Sequence, residues 1–365
     1  MMLSPDEKKD KTIRATDLDA LSSRNSANSK QYFVPSDRYI PDLIMSYQNH
    51  LQYCEGYSNL SAGRTLRMLF KERKMPIINR GTYLRTRSID LVINEFIKKF
   101  DKCQIVSLGG GSDTRCFSLL DRYENLTYSE IDYPESVKIK KLGILANDEL
   151  RKSLGVCDTA PTINSKSDFM NFDSDLITSR YKLIGDDLRN VDADFLKLKK
   201  FDHSLPTLIL SECVLCYLSP QENEAIIKFW TRWCSGYSAV LIYEPMSLND
   251  PFGLTMARNL SQRGLNLQSF SEYPNLQSRF EFLKNSCSLK NLRLTEMCLV
   301  GGYSSENVEK PWIDQAEEQR INRLELIDEV EEIQLLYKHY CLCFGDNSDK
   351  HVFDAIDNWT WTLSD

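Results

Sequence analysis

Leu108-Gly109-Gly110-Gly111-Ser112-Asp113-Thr114-Arg115 follows a short apolar run, Ile105, Val106 and Leu108, that reads as a buried parallel strand. The glycines permit positive φ and let a ligand approach the backbone more closely than a β-carbon would allow. Working outward, Thr127 to Ile131 reads as a second strand ending in Asp132. That acid comes about 20 residues after the loop, the spacing at which a carboxylate meets a ribose hydroxyl in a Rossmann-type unit. The pattern asks for a nucleotide-like ligand. A dinucleotide fingerprint would carry a third glycine on the following helix, but this chain has Asp113, Thr114, Arg115 and Cys116 there. A phosphate-free nucleoside such as S-adenosylmethionine therefore fits better than NAD.

With 365 residues, 42% hydrophobic and 27% charged, the chain has the length and composition of one elaborated α/β domain with helical additions. No apolar run approaches the roughly 18 residues that cross a bilayer, so no membrane role is expected. The opening Met1-Met2-Leu3-Ser4-Pro5, followed by Asp6, Glu7, Lys8 and Lys9, lacks the apolar segment of a secretory signal. A cytoplasmic location, with nuclear access open, is expected. Eleven cysteines, several inside apolar runs as at Cys103, Cys213 and Cys298, suit a reducing compartment. Cys213 and Cys216 have CxxC spacing but no second pair at zinc-ribbon distance, so no metal is expected. A net charge of −7 without a long basic stripe makes nucleic acid a poor partner, and Lys71-Glu72-Arg73-Lys74 reads as a solvated face.

Residues 1 to about 30 are polar and serine-rich, and Thr16 or Asp17 is placed to cap a short helix. Aromatic and aliphatic residues between 35 and 75 read as two or three helices. Ile89, Val92, Ile93, Phe96, Ile97 and Phe100 mark a helix over Tyr83 to Phe100, with Lys98 and Lys99 in its last turn as the helix dipole favours. Further strands are expected at Tyr181–Ile184, Thr207–Leu210, Ala239–Tyr243, Leu292–Val300 and His339–Phe344, and helices at Pro220–Trp233 and Leu326–Tyr337. The alternation implies a doubly wound, mostly parallel sheet with an antiparallel edge strand. The expected organisation is an N-terminal segment with helical additions over 1–100, a Rossmann-like core over 101–344 with an insertion near 152–180, and a polar tail over 345–365.

Ligands of such sheets bind at the carboxyl ends of the strands. Those ends offer Gly109 to Asp113, Asp132, Asp186-Asp187-Leu188 and Ser211-Glu212. A single acid there is common turn chemistry, but successive acids behind a Gly-rich loop match the ribose hydroxyls, adenine amine and ammonium of S-adenosylmethionine. The methionine carboxylate needs a cation, and Arg85, placed near the start of the helix before the first strand, suits it, with Arg80 and Arg87 as competitors.

Asn79-Arg80-Gly81-Thr82-Tyr83-Leu84-Arg85, Leu108-Gly109-Gly110-Gly111-Ser112-Asp113-Thr114, Ser211-Glu212-Cys213-Val214-Leu215-Cys216-Tyr217-Leu218 and Asp250-Pro251-Phe252-Gly253-Leu254-Thr255-Met256 occur in the order seen in leucine carboxyl methyltransferases. The chain resembles a fungal-type member of that family over roughly residues 14 to 344. The resemblance implies a class I S-adenosylmethionine-dependent methyltransferase fold. It also implies methyl esterification of the C-terminal leucine carboxylate of type 2A protein phosphatase catalytic subunits, regulating phosphatase holoenzyme assembly. Carried over by position, the cofactor contacts are Arg24, Arg85, Gly109, Asp132, Asp187, Leu188 and Glu212. Arg85 and Tyr217 take the catalytic positions, Tyr217 lining the substrate pocket.

A terminal carboxylate, with a reference pKa near ~3.5, is ionised at cytosolic pH and needs no general base. This agrees with four histidines, His50, His203, His339 and His351, that show no paired spacing; His339 reads as structural. An acid-lined site repels an anionic substrate, so a cation must offset the acids: the sulfonium itself attracts the carboxylate, and Arg85 or Arg80 could screen its approach. Nothing demands more than a monomer. The rival readings are a wybutosine-type transfer RNA methyltransferase, a small-molecule O-methyltransferase and a silent binding module. The first usually carries a long C-terminal propeller extension that this sequence does not show.

Overall fold

The computed structural model describes residues 5–304 and 308–365, so the part of the signal-sequence reading that rests on Met1 to Ser4 lies outside the described residues. The chain divides into two compact units: Met1–Asn79 with Gly109–Asn190, and Arg80–Leu108 with Val191–Asp365. Among the described residues there are nine strands: β1 (Cys103–Leu108), β2 (Leu126–Asp132), β3 (Leu176–Ile177), β4 (Tyr181–Gly185), β5 (Thr207–Glu212), β6 (Ser238–Pro245), β7 (Lys290–Glu296), β8 (Tyr340–Asp346) and β9 (Leu363–Ser364). The helices that matter most for the site are α1 (Pro5–Ser29), α2 (Ile40–His50), α3 (Asn59–Lys71), α4 (Pro76–Lys99), α5 (Arg115–Arg122) and α6 (Pro134–Ala146).

In the first unit β2 and β4 run parallel, with Asp132 opposite Gly185, and β3 pairs antiparallel to β4. Leu18 and Leu21 of α1, Ile40 and Leu43 of α2, Leu66 of α3, Ile139 and Leu142 of α6 and Phe169 form one buried cluster. Thr16 and Asp17 are therefore not helix caps, because α1 already begins at Pro5. Thr16 Oγ1 donates back to the Ile13 carbonyl at 2.6 Å, as hydroxyls inside helices do. The polar composition of α1 hides it; burial of Leu18, Leu21 and Ala27 is what docks it.

Helix α6 carries Lys138, Lys140 and Lys141, all buried, an unusual face for ammonium groups. Main-chain carbonyls of the polar segment expected to be an insertion receive two of them, Lys138 and Lys141. Lys138 Nζ donates to the carbonyls of Phe169 (3.1 Å) and Met170 (2.7 Å), and Lys141 Nζ to those of Asp173 (2.9 Å) and Asp175 (2.6 Å). That segment holds the short helix Lys166–Asn171, and Phe169 is completely buried.

In the second unit β1, β5 and β6 run parallel, with Leu108 opposite Ser211 and Glu212 opposite Tyr243. Strands β8, β7 and β9 follow, each antiparallel to its neighbour. The α/β fold expected from the sequence is thus present, with more antiparallel edge than the single strand anticipated. The strand expected at Leu292–Val300 ends at Glu296, and Met297–Val300 is a helical turn. All four of its side chains are buried, and a continuous apolar run has no period that separates strand from helix. Pro220–Trp233 is helical as expected, closed by a Ser219/Glu222 capping box. The helix expected from Leu326 starts only at Val330. In the tail, Trp359 stacks on Trp312 with centroids 4.8 Å apart, and Trp361 meets the same ring edge-on.

Candidate functional site

In the first unit the Gly-rich loop is held from several sides. Gly109 (φ +66°) and Gly111 (φ +46°) both adopt left-handed backbone, which L side chains resist. The Gly109 amide donates to the Ile131 carbonyl at 2.7 Å, and the Gly111 amide to Asp132 Oδ2 at 2.6 Å. Asp132 Oδ1 accepts from the Tyr133 amide at 2.6 Å. Burial, and then the neighbouring Asp17 carboxylate, push the Asp132 carboxyl up to about 7, against the pull of those amides and of Lys140. Asp187 lies two residues beyond the adjacent parallel strand β4, and the Asp186 amide donates to the Asp132 carbonyl at 2.9 Å. The Asp187 carboxylate is gripped by Arg189 Nε at 2.9 and 3.1 Å, a partner the sequence reading did not name; Leu188 opens a 3-10 turn. Arg24, on α1, spans Asp113 Oδ1 (2.9 Å), Asp37 Oδ2 (3.1 Å) and Thr114 Oγ1 (3.1 Å).

In the second unit Arg85 lies well inside α4, which begins at Pro76, not near the start of the helix as expected. Its Nε donates to Glu212 Oε1, and its guanidinium carbon stands 5.0 Å from the Tyr243 ring centroid. Tyr243 stacks in turn on Tyr340. Burial works against the Arg85 charge, but Glu212 overrides it and holds the guanidinium fully protonated. Among the described residues nothing accepts from its two terminal nitrogens. Arg80, its expected competitor, is committed elsewhere: buried, it donates to Tyr303 Oη (2.6 Å), Asn322 Oδ1 (2.8 Å) and the Ile321 carbonyl (2.8 Å). Its guanidinium is thus engaged by groups other than those that hold Arg85.

Glu244 organises the residues after β5. Completely buried, it accepts from the amides of Val214 (3.0 Å), Leu215 (2.9 Å) and Cys216 (3.0 Å). These contacts fix the turn that follows Glu212 and carries Tyr217 at its end. Cys213 adopts φ +57° within it, and burial pushes its thiol up to about 12, far from a reactive thiolate. Among the described residues no group of three or more His, Cys, Asp or Glu could hold a metal ion, and no helix is long and apolar enough to cross a membrane.

Asp250 caps the helix Pro251–Gln262 by accepting from the Gly253 amide at 2.8 Å, and its Oδ1 is 3.0 Å from Nε2 of the buried His339. A β-carbon on Gly253 would stand 1.8 Å from the Ser247 carbonyl oxygen. Gly253→Ala is expected to cost about 1–3 kcal/mol through forced backbone movement, read from the urea midpoint; a loss under about 0.5 kcal/mol would show that this helix start can shift freely.

Sequence reasoning missed Asp17, Tyr47 and Ser112 around the loop, Tyr243 beneath Arg85, and Glu244. Only Asp17 carried a cue, and it was read as a cap.

Residues 12–231 match the leucine carboxyl methyltransferase family. Leucine carboxyl methyltransferase 1 of Debaryomyces hansenii is 55% identical, covering 99% of this chain and all of that protein. Its counterpart in Candida albicans is 53% identical with both chains fully covered. The solved plantazolicin methyltransferase BamL, in complex with a triazolic desmethylPZN analog and SAH, is similar at 12% identity over 84% of this chain and 97% of that one. Its TM-score is 0.39. With the family matched over more than half of the chain and two relatives matched end to end, this protein belongs to the leucine carboxyl methyltransferase family.

Proposed function

We propose that the chain transfers a methyl group from S-adenosylmethionine to the α-carboxylate of a C-terminal leucine, with type 2A protein phosphatase catalytic subunits as substrate. The observation that carries this reading is Asp132, a carboxylate at a strand end with both oxygens oriented by backbone amides beside the Gly-rich loop. The donor and acceptor chemistry fits the cofactor. Asp132 and Asp187 supply acceptors for ribose hydroxyls and an adenine amine. Gly109 to Gly111 supply a backbone that no β-carbon crowds. Arg85 supplies two terminal nitrogens for a carboxylate, and Arg24, Leu188 and Glu212 complete the proposed contact set. S-adenosylmethionine, when bound, supplies a methyl on a cationic sulfur that leaves as a neutral thioether.

The chain itself has no proton to move. The leucine carboxylate arrives ionised, so the task is to strip its water and hold one oxygen in line with the methyl, about 3 Å away. The histidine contacts support a mechanism without a base. His339 is buried against Asp250 and the Leu335 carbonyl, His50 contacts Ser46, and His203 contacts Ser235. Tyr217 is proposed to line the substrate pocket.

Methyl-labelled cofactor incubated with intact phosphatase catalytic subunit, its leucine-truncated form and transfer RNA tests the reading. Base-labile label on the intact subunit alone is expected. Label on transfer RNA or on the truncated form, or none on any, overturns it. Asp132→Ala should weaken S-adenosylhomocysteine binding roughly 10- to 100-fold, the size of a charge-assisted hydrogen-bond loss. Calorimetry showing an unchanged Kd would remove Asp132 from the ribose.

A further inference from the structure

Two neighbouring amides of the Gly-rich loop are claimed by two different carboxylates. Gly111 N–H goes to Asp132 Oδ2 at 2.6 Å; Ser112 N–H goes to Asp17 Oδ1 at 2.7 Å. Asp17 Oδ2 also accepts from Ser112 Oγ at 2.7 Å and from the Tyr47 hydroxyl. A β-carbon on Gly111 would stand 2.5 Å from Asp17 Oδ1, so this glycine is what admits the acid. Asp17 belongs to α1, remote in sequence from the loop, and no helix-capping need explains it. Like charges brought together inside a protein repel strongly, so a purely structural contact would favour an amide or hydroxyl here.

We propose that Asp17 is a positioning residue for the cofactor: it fastens α1 to Ser112, sets the loop conformation that orients Asp132, and tunes the charge of that ribose-binding acid. The inference rests on the proposed cofactor role of Asp132. The groups facing Asp132 are Asp17 from α1, Lys140 from α6, and the amides of Gly111 and Tyr133, while the Tyr47 phenol from α2 faces Asp17. Burial and Asp17 keep Tyr47 neutral and donating. Ribose hydroxyls donate to Asp132 and so favour its ionised form. Because the Asp132 carboxyl is pushed up to about 7, cofactor affinity should rise with pH through that value.

The test is calorimetric titration of the full chain with S-adenosylhomocysteine from about pH 6 to about pH 8.5, bracketing that ionisation. Asp17→Asn keeps an acceptor for Ser112 but removes the charge, so the midpoint of the affinity profile should move to lower pH by about one unit. Asp17→Ala removes the fastening as well and should weaken binding about tenfold at the alkaline end. An unmoved midpoint in Asp17→Asn overturns the proposal even if Asp17→Ala fails to fold. So does a flat native profile, or a folded Asp17→Ala that binds within about twofold of native. Native protein that binds no S-adenosylhomocysteine at any pH is a different result: it removes the cofactor reading itself, and this inference with it.

Discussion

Arg85→Ala is expected to lower kcat/KM for methyl transfer by about 10²–10³-fold, the usual cost of removing a preorganised donor, while the chain stays folded. The guanidinium is oriented before any ligand arrives: Nε is fixed by Glu212, its face lies over Tyr243, and the helix around it is continuous from Pro76 to Lys99. That leaves its terminal nitrogens as a planar fork for a carboxylate. The side chain is 27% exposed and Glu212 16%, so its loss leaves an acid that water can still reach. Arg85→Lys discriminates charge from geometry. An ammonium keeps the charge but not the fork, so recovery of less than about a tenth of the native rate is expected. Kinetics of Arg85→Ala within about threefold of native would take this residue out of the reaction.

Why Arg85 was readable in the sequence, and Arg80 was not separable from it, is a matter of what surrounds them. Five residues apart on α4, they differ in partners that come from distant segments: Glu212 and Tyr243 for one, Tyr303 and Asn322 for the other. No local pattern carries that distinction. The Gly-rich loop and Asp132 were legible because positive φ and strand-end acids leave local signatures. The parallel strands were legible because both faces are buried and the runs are apolar. Helix α1 was not, since a polar sequence with few apolar anchors has little amphipathic signal, and its order comes from tertiary contacts. The same holds for α6: two of its buried lysines, Lys138 and Lys141, are satisfied by carbonyls of a segment that looks like solvent-exposed loop, and the third, Lys140, by a distant strand.

Those lysines set up the largest expected stability effect. Lys140 Nζ lies 2.6 Å from Glu130 Oε2, with side-chain exposures of 2% and 0%, and also donates to the Asp113 carbonyl. Tyr181 donates to the same Glu130 oxygen at 2.9 Å. Burial opposes the Lys140 charge, but Glu130 holds it above its ordinary range. A β-carbon on Gly110 would come within 3.2 Å of the Glu130 side chain, so this pair lies directly against the loop. Lys140→Met strands a buried carboxylate and should cost about 3–5 kcal/mol, read from chemical denaturation. The sign of its pH dependence follows from proton uptake. Without the ammonium, Glu130 stays protonated in the folded chain above the ~4.3 at which it ionises unfolded. The folded state then holds the extra proton, so the variant's deficit should be small near pH 4 and grow as pH rises toward neutrality. Adding Glu130→Gln removes the titrating group and should flatten that slope and recover most of the loss. A deficit below about 1 kcal/mol, or one that is the same at acid and neutral pH, would mean that the ion pair is not what secures the loop from beneath. In that case the Asp113 contacts to Arg24 and Arg115 would have to carry that role.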